Sequence, residues 1–317
     1  MITMKLLTKL NFNNYTKRIL DLFRLRFTAP IKLEDLQWRY MQSPTDDLNA
    51  VIALDSDKVV GFIGTMPSIV KIKKDSVKAA MYTNIMTHPD YCGQGIFTQM
   101  AEKLEESLRE KNYEFLYSFP NFQSNHLLID RCGWTDIYEI PRMEVSTKEI
   151  CGNFSKISES AVVQDNEFAL DYSQIKPTVG GKGFERTTSY LIWRVKNNPT
   201  AIYDNFVLCS ENTVDAYIIV RKYQNEYNIV DISFGSQDQA ELLIAKVIKS
   251  FQEKQYRILT VWCPTNIELH SFYEKNGFTN NAPITYFAGK YIVEDSKKYD
   301  LVNWQDWFIH GIDDNIY

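Results

Sequence analysis

The sequence YTNIMTHPDYCGQGIF, from Tyr82 to Phe97, decides the fold, and the helical sequence TQMAEKLEESLREK follows it directly. It begins as an apolar strand, passes through His-Pro-Asp and turns at Gly93 and Gly95 before the helix begins. Glycine has no Cβ, so the backbone there can bring its N–H groups close to a ligand. The N-terminus of a helix adds unpaired N–H groups and a partial positive charge. The turn therefore predicts a site for a pyrophosphate.

The spacing of this turn excludes two common phosphate-binding motifs. The dinucleotide-binding fingerprint needs a third glycine and an acidic residue about 20 residues further on. The phosphate-binding loop of nucleotide hydrolases needs Gly-Lys followed by Ser or Thr. Neither pattern fits this segment. Taken alone, the segment is equally compatible with an ordinary strand–turn–helix corner.

Composition and charge restrict the class of protein. A chain of 317 residues is long enough for about two domains. Its net charge of -5, without a basic block, argues against nucleic acid as a partner. We expect neither a membrane span, since no apolar run reaches about 18 residues, nor a signal peptide. The five scattered cysteines lack metal-ligand spacing and only four histidines occur, so we expect no metal site and a reducing, cytoplasmic location.

Two parts of the chain resemble each other. The pattern L-x-W-R-x-x-x-x-P-T starts at Leu36 and again at Leu191, an offset of 155 residues. The segment FPNFQSNHLLIDRCGW from Phe119 aligns with CPTNIELHSFYEKNGF from Cys263 at an offset of 144. The second copy therefore lacks eleven residues, which a shortened hairpin between the two blocks would explain.

Each copy has the same predicted order of helices and strands. A helix with the Trp-Arg pair precedes alternating strands, an amphipathic helix, a buried strand and a short helix that ends in Gly-aromatic. This order indicates an α/β domain. We predict two domains, 1–145 and 146–317, joined through a polar, turn-rich segment. The second is predicted to end in an aromatic helix that docks on the core through Trp304, Trp307 and Phe308.

The glycine turn resembles the coenzyme A site of the GNAT N-acyltransferases, whose pattern is Q/R-x-x-G-x-G/A after an apolar strand. The six positions here run from Asp90 to Gly95. Asp90 replaces Gln or Arg, and Cys92 stands where Arg is frequent, so positive charge near the phosphates is reduced. The resemblance covers nearly the whole chain and implies two tandem GNAT-like domains, each with a mixed, mostly antiparallel sheet flanked by helices.

The resemblance implies a site for acyl-coenzyme A in the first copy. Its pantetheine arm would lie along the strand, where the amides of 84–87 would polarise the thioester carbonyl. We expect a bulge near His88-Pro89 to open the sheet there. The residues expected to bind acyl-coenzyme A are Ile85, Met86, Thr87, Cys92, Gly93, Gln94, Gly95, Ile96 and Phe97.

Candidate catalytic residues follow from the same resemblance. The first copy has an F-P-N-x-x-S signature, which implies that Asn121 and Ser124 lie beside the thioester, although Asn121 is equally well placed to cap a helix. The candidate bases are His126, for which a structural role is the alternative, and a Glu or Asp acting through water. Tyr82 and Asn84 are candidates for orienting the acceptor or the carbonyl.

The second copy retains a different part of the family pattern. It has Tyr273 where many GNAT enzymes have the acid that protonates the leaving thiolate, whereas the first copy has Ile129. Gln237 and Gln239 replace the two glycines, so this copy is not expected to bind coenzyme A. We expect it to shape the acceptor pocket or a homodimer contact. Trp38, Arg39 and Tyr40 either line the acceptor pocket or pack in the core, as their equivalents Trp193 and Arg194 suggest.

The resulting expectation is an acyl-coenzyme A-dependent N-acyltransferase that acts on a small-molecule amine. Because proteins with the F-P-N-x-x-S signature resemble aminosugar N-acyltransferases of surface-polysaccharide pathways, a nucleotide-linked aminosugar is the expected acceptor. A polyamine, an aminoglycoside and a peptide N-terminus are alternative acceptors. A non-catalytic acyl-coenzyme A sensor or scaffold is the alternative function.

Overall fold

A computed structural model describes residues 1–27, 31–151, 162–175, 181–265 and 267–315, without the side chains of residues 268 and 282–284. It has two compact units. The first contains residues 1–70, 76–137 and 287–302, and the second contains residues 71–75, 138–286 and 303–317. These units differ from the expected domains 1–145 and 146–317, because a segment near the end of the chain belongs to the first unit.

The first unit is a sheet of strands in the order β1-β2-β3-β4-β5-β13, with helices against it. Neighbouring strands are antiparallel from β1 to β3 and between β5 and β13, whereas β4 and β5 are parallel. The elements are β1 (Ile2–Leu7), α1 (Thr16–Arg26), α2 (Leu33–Met41), β2 (Asn49–Asp55), β3 (Lys58–Ile72), β4 (Asp75–Thr87), α3 (Ile96–Glu110), β5 (Phe115–Ser118), α4 (Phe122–Cys132) and the last residues of β13 (Thr279–Tyr291).

Two apolar clusters cover the two faces of this sheet. Helices α1 and α2 contribute to one cluster, and α3 and α4 contribute to the other. Helix α3 packs through side chains spaced three or four residues apart, which form one stripe along the helix: Ile96, Phe97, Met100, Ala101, Leu104 and Leu108. The apolar periodicity of this segment therefore explains both its helical form and the face that it buries.

The second unit has the strand order β6-β12-β11-β10-β9-β7, and β6 also neighbours β13. Only β11 and β12 are parallel along this path. The elements are β6 (Thr135–Ser146), β7 (Val162–Gln164), β8 (Lys182–Phe184), α5 (Thr188–Leu191) with a π-helical continuation (Ile192–Lys196), β9 (Ile202–Ser210), β10 (Thr213–Tyr223), β11 (Glu226–Ser233), α6 (Gln237–Glu253), β12 (Ile258–Trp262), α7 (Glu268–Lys275) and β14 (Trp307–Phe308).

The two copies have the same order of elements. The series β2-β3-β4-α3-β5-α4-β6 corresponds to β9-β10-β11-α6-β12-α7-β13. Strands β3 and β4 have 15 and 13 residues, whereas β10 and β11 have 11 and 8, so the second hairpin is the shorter one. The prediction of an α/β fold with mixed, mostly antiparallel sheets flanked by helices is confirmed.

The expected aromatic helix near the end of the chain is wrong. Trp304 begins a 3-10 turn, and Trp307 and Phe308 form β14, which pairs in parallel with β8. Both strand residues are buried. Because consecutive side chains of a strand point to opposite faces, this short strand is covered on both sides. In the part of the chain that the structure describes, no helix is both long enough and apolar enough to span a membrane.

Candidate functional site

Strands β4 and β5 separate beside the start of α3. They pair in parallel from Ala79 to Met81, and the Ser118 hydroxyl then donates to the Tyr82 carbonyl at 3.3 Å. Beyond this point β4 remains attached to β3, since the His88 amide donates to the carbonyl of Val60 at 2.8 Å. The last residues of β4 therefore extend past the end of β5, where an extended ligand can lie beside them.

The irregularity in β4 lies at Asn84, which has φ +55°. This irregularity lies four residues before His88, near which a bulge is expected from the sequence. Pro89 instead begins a 3-10 turn, and His88 is buried with its Nδ1 accepting from the Asp90 amide at 3.3 Å. A proline that has no N–H suits the first position of such a turn, so it does not need to disturb the sheet.

The glycine turn has the backbone that the sequence predicts. Gly93 and Gly95 have φ of +77° and +71°, a region that residues with a Cβ rarely adopt. A Cβ at Gly93 would meet nothing within 4 Å, and one at Gly95 would approach only the end of Gln99 at 3.9 Å. The glycines are therefore required by backbone conformation, and open space lies beside them.

Helix α3 begins at this turn without a side-chain cap. Gly95 is its N-cap residue, no side chain accepts from its first amides, and no acidic residue lies in its first turn. The Tyr91 hydroxyl donates to the Asp55 carboxylate at 2.8 Å and so ties the turn to the end of β2. Unpaired amides in a tethered turn beside open space can bind an anion such as a diphosphate.

The equivalent helix of the second unit is closed by its own side chains. The Ser236 hydroxyl accepts from the Gln239 amide, and the Gln239 side chain accepts from the amides of Ser236 at 3.2 Å and Gly235 at 2.7 Å. This reciprocal capping box satisfies the donors that a phosphate would need. At this helix start the second unit therefore does not offer the anion site that the first unit offers.

The nine expected cofactor-binding residues belong to the end of β4, the glycine turn and the start of α3, but they differ in exposure. Cys92, Gly93, Gln94 and Gly95 are exposed, and Ile85 and Thr87 are half-buried. Met86, Ile96 and Phe97 are buried in the apolar clusters. The last three can therefore contact a ligand through backbone groups, while their side chains support the turn.

Two of the candidate catalytic residues, Tyr82 and Asn84, lie in different environments. Tyr82 is 2% exposed and packs on Trp134 with ring centroids 5.0 Å apart. Burial raises the pKa of Tyr82 well above its ordinary value. Asn84 instead faces α2, where its amide group contacts the side chains of Arg39 and Tyr40. Tyr82 is therefore part of the packed core. Asn84 lies at the irregularity in β4 where φ is positive, which we call the kink.

The remaining candidates lie at the start of α4. The Asn121 side chain accepts from the Ser124 amide at 2.9 Å, so the alternative reading of Asn121 as a helix cap is present in the structure. His126 is exposed one turn further on, in edge contact with Phe122 at 4.6 Å between ring centroids. Its equivalent His270 is buried and bonded to the Cys263 carbonyl at 2.8 Å, so the two histidines have different environments.

The two units differ at the position where the resemblance implies a general acid. Ile129 packs against the apolar cluster of the first unit. Tyr273 is 1% exposed in the core of the second unit, and burial raises its pKa well above the ordinary value. Asn266, which begins the second-copy sequence pattern N-x-x-x-x-x-x-Y-x-x-x-G-F that includes Tyr273, lies outside the described residues. Trp38 and Trp193 are both buried, as expected for packing residues.

Sequence reasoning missed the polar contacts that hold the kink. Thr83 and Gly64 were not candidates, and Arg39 and Tyr40 were considered only as lining or packing residues. Two sequence features could have identified them. Arg39 and Tyr40 directly follow a tryptophan, and Thr83 and Asn84 are polar residues inside an otherwise apolar strand.

Comparisons with known proteins agree with this geometry. Residues 12–136 match the family described as the acetyltransferase (GNAT) domain. None of the curated proteins matches the chain. Among solved structures, a probable N-acyltransferase from Enterococcus faecalis V583 has a TM-score of 0.68 at 14% identity, over 92% of this chain and 72% of that one.

Two further structures have the same fold. A GCN5-related N-acetyltransferase from Kribbella flavida has a TM-score of 0.68 at 12% identity, over 92% of this chain and 71% of that one. A tandem GNAT protein from the clavulanic acid biosynthesis pathway has a TM-score of 0.59 at 13% identity, over 92% of this chain and 99% of that one. Residues 12–136 therefore match the acetyltransferase (GNAT) domain, and the chain shares its fold with these solved GNAT structures.

Proposed function

We propose that this protein transfers an acyl group from coenzyme A to the primary amine of a nucleotide-linked aminosugar. The observation that carries the acyl-coenzyme A part is the uncapped start of α3, where Gly93 and Gly95 have positive φ beside open space. A diphosphate is the ligand that such a group of amides binds best. Its position next to the separating strands β4 and β5 suits the extended arm of the same molecule.

The residues of the first unit have separate tasks in this proposal. The amides from Gly93 to Phe97 bind the diphosphate. The backbone of 84–87 hydrogen-bonds the pantetheine arm and polarises the thioester carbonyl, which the acceptor amine attacks directly. The side-chain oxygen of Asn121 accepts from the Ser124 amide and so caps the helix. Its side-chain NH₂ can donate to the arm or to the leaving sulfur.

The proton of the acceptor amine needs a base in this mechanism. His126 is the candidate, because it is exposed on the first turns of α4, near Asn121 and Ser124 in sequence. Ile129 supplies no acid for the leaving thiolate, so in this proposal water or the hydroxyl of Ser124 protonates it. The reaction then releases the free thiol of coenzyme A and an amide.

The choice of an aminosugar rests on the F-P-N-x-x-S signature from Phe119 to Ser124 and not on a contact. A polyamine, an aminoglycoside and a peptide N-terminus are the competing amines. We place the reaction in the cytoplasm, since all five cysteines are free thiols. A panel of these amines with acetyl-coenzyme A, assayed by thiol release, identifies the acceptor class.

A sensor that binds acyl-coenzyme A without turnover is the second candidate. Ile129 favours it, because an apolar side chain stands where the family's acid is frequent and packs into the core. Thiol release above background with any amine of the panel would exclude this candidate. Tight binding of acyl-coenzyme A with no turnover would favour it over the transferase.

The anion site is tested by replacing Gly93. Gly93→Val places a β-branched residue at φ +77° beside the amides, so we expect the Kd of coenzyme A in calorimetry to rise by at least about tenfold. Gly133→Val is the matched control, because Gly133 has φ +66° and equally open surroundings at the other end of α4. Equal affinities of the two variants would contradict the assignment.

A further inference from the structure

The kink in β4 lies beyond the pairing with β5 and is contacted by side chains of α2. Pairing with β5 ends at Met81, three residues before Asn84. Asn84 has φ +55°, a conformation that an L-residue keeps only when its surroundings over-determine it. Something other than the β4–β5 ladder must therefore stabilise this residue.

A chain of hydrogen bonds from α2 supplies that support. Arg39 Nη1 donates to Asn84 Oδ1 at 3.2 Å, and Asn84 Nδ2 donates to the Tyr40 hydroxyl at 2.6 Å. The Tyr40 hydroxyl then donates to the Thr83 hydroxyl at 2.9 Å, which donates to the Gly64 carbonyl at 3.2 Å. Each group donates to the next, so the chain has one consistent direction that ends on the backbone of β3.

Two further features show that this arrangement is built into the unit. The Tyr40 ring occupies the space of a missing side chain, since a Cβ on Gly64 would lie 2.6 Å from its atoms. Tyr40 is 2% exposed, and burial raises its pKa, so the hydroxyl keeps the proton that it donates. The phenol is therefore fixed both by packing and by its hydrogen bonds.

We propose that Tyr40 is a positioning residue for acyl transfer: through Asn84 and Thr83 it holds the β4 kink, and so sets the direction of the amides at 84–87 toward the thioester carbonyl. This inference rests on the proposed function, because the thioester is the group that those amides would meet. Tyr40 acts through the backbone and does not touch the reacting atoms. The diphosphate is bound elsewhere, at the start of α3.

This separation gives a specific kinetic signature. Tyr40→Phe keeps the ring and removes the hydroxyl, so the kink loses its central contact while the glycine turn is unchanged. We expect kcat to fall about 10- to 100-fold, as for a small misplacement of reacting groups. We expect the Kd of coenzyme A to stay within about twofold of the wild-type value, because its phosphate contacts at the glycine turn are intact and the contacts of its arm with 84–87 are displaced rather than removed.

The matched control is Tyr113→Phe in the same unit. Tyr113 is also fully buried, and its hydroxyl donates to the Asp47 carboxylate at 2.7 Å, away from the kink. This variant also loses a buried hydrogen bond, so any general loss of stability appears in both. We expect Tyr113→Phe to keep its kcat within about twofold, as for a change outside the reacting geometry.

A second pair of variants tests the backbone itself. Asn84→Gly removes the side-chain contacts but tolerates positive φ, whereas Asn84→Ala removes the contacts and opposes that φ. We expect kcat to decrease in the order wild type, Asn84→Gly, Asn84→Ala. An Asn84→Ala enzyme as active as Asn84→Gly would overturn the proposal, as would a Tyr40→Phe enzyme with wild-type kcat.

Amide hydrogen exchange keeps this test independent of turnover. We expect the peptide covering residues 82–88 to exchange faster in Tyr40→Phe than in either the wild type or Tyr113→Phe. If the wild type releases no thiol with any amine, the proposed function fails, and exchange alone then decides whether Tyr40 holds the kink. Unchanged exchange in Tyr40→Phe would show that it does not.

Discussion

At the scale of single residues, buried ionisable groups in the second unit have opposing effects on stability. Arg186 contacts the carboxylates of Asp231, at 2.9 Å, and Asp313. Burial, opposed by Arg186 and reinforced by Asp231, raises the pKa of Asp313 from 3.8 to about 6. Burial also lowers the pKa of His310 from 6.5 to about 4. Folding therefore shifts the two pKa values in opposite directions, upward for Asp313 and downward for His310.

The signs of these effects give a test by pH. Asp313 is protonated more readily in the folded state, so its contribution to the free energy of unfolding increases as pH falls from about 7 to 5. His310 is protonated more readily in the unfolded state, so its contribution decreases as pH falls below about 6.5. We expect His310→Gln to become more stable relative to wild type on acidification, and Asp313→Asn to become less stable.

Urea denaturation at pH 5, 6 and 7 measures this difference. Because the other titrating groups are shared, only the slope relative to wild type matters, and not the absolute stability of each variant. Parallel curves for the wild type and both variants would contradict the opposing titrations.

At the scale of elements, the beginnings of three helices determine where an anion can bind. Helix α3 has an uncapped start at Gly95, whereas Asn121 caps α4 and Ser236 caps α6. A capped helix has fewer free amides for a ligand. The start of α3 in the first unit is therefore open, whereas the equivalent start of α6 in the second unit is closed.

The two roles of Asn121 can be separated by substitution. Asn121→Ala removes the cap and should cost about 1 kcal/mol of unfolding free energy, and Asn121→Ser should recover most of it. Because serine lacks the side-chain NH₂, we expect kcat/KM to stay low in both variants, with stability measured by urea denaturation.

Ser236→Ala is the control for this pair. It removes a cap of the same kind from α6 and should lower stability by about 1 kcal/mol without changing kcat/KM. Full activity in Asn121→Ser would show that Asn121 only caps the helix.

At the scale of the whole molecule, the first unit depends on the distant segment 287–302. Residues Ala288–Tyr291 of β13 pair antiparallel with Ser118–Phe115 of β5. Lys290 contacts the buried Glu105 carboxylate at 2.8 Å, and Phe287 stacks on Phe119 at 5.2 Å between ring centroids. Without this segment, β5 would have an open edge and Glu105 would lose a counter-charge.

This dependence predicts how fragments behave. We expect a fragment of residues 1–145 to lack fixed side-chain packing, measured by near-ultraviolet circular dichroism, and to bind no coenzyme A. A fragment in which a flexible linker joins residues 1–137 to 287–302 should recover both properties. If the fragment 1–145 folds and binds as well as the linked one, the segment is dispensable.

Local sequence was sufficient for the features that depend on neighbouring residues. Gly93 and Gly95 need positive φ, and the stripe on α3 repeats with the period of a helix, so both could be read from spacing. The repeat predicted the shared order of elements. The prediction of an aromatic helix near the end of the chain is wrong. The spacing of the aromatic residues suits one face of a helix, but residues 307 and 308 belong to a short strand whose partner is β8.

The amino-acid sequence by itself determined the resemblance to the GNAT family, the glycine turn and the alternation of strands and helices, since these depend on residues a few positions apart. Only the tertiary structure decided that the kink lies at Asn84 and that 287–302 completes the first unit. Asn84 bonds Tyr40 across 44 positions, and Ala288 pairs with Ser118 across a far longer separation. Such contacts leave no local period or composition, because they form only when the chain closes these long loops.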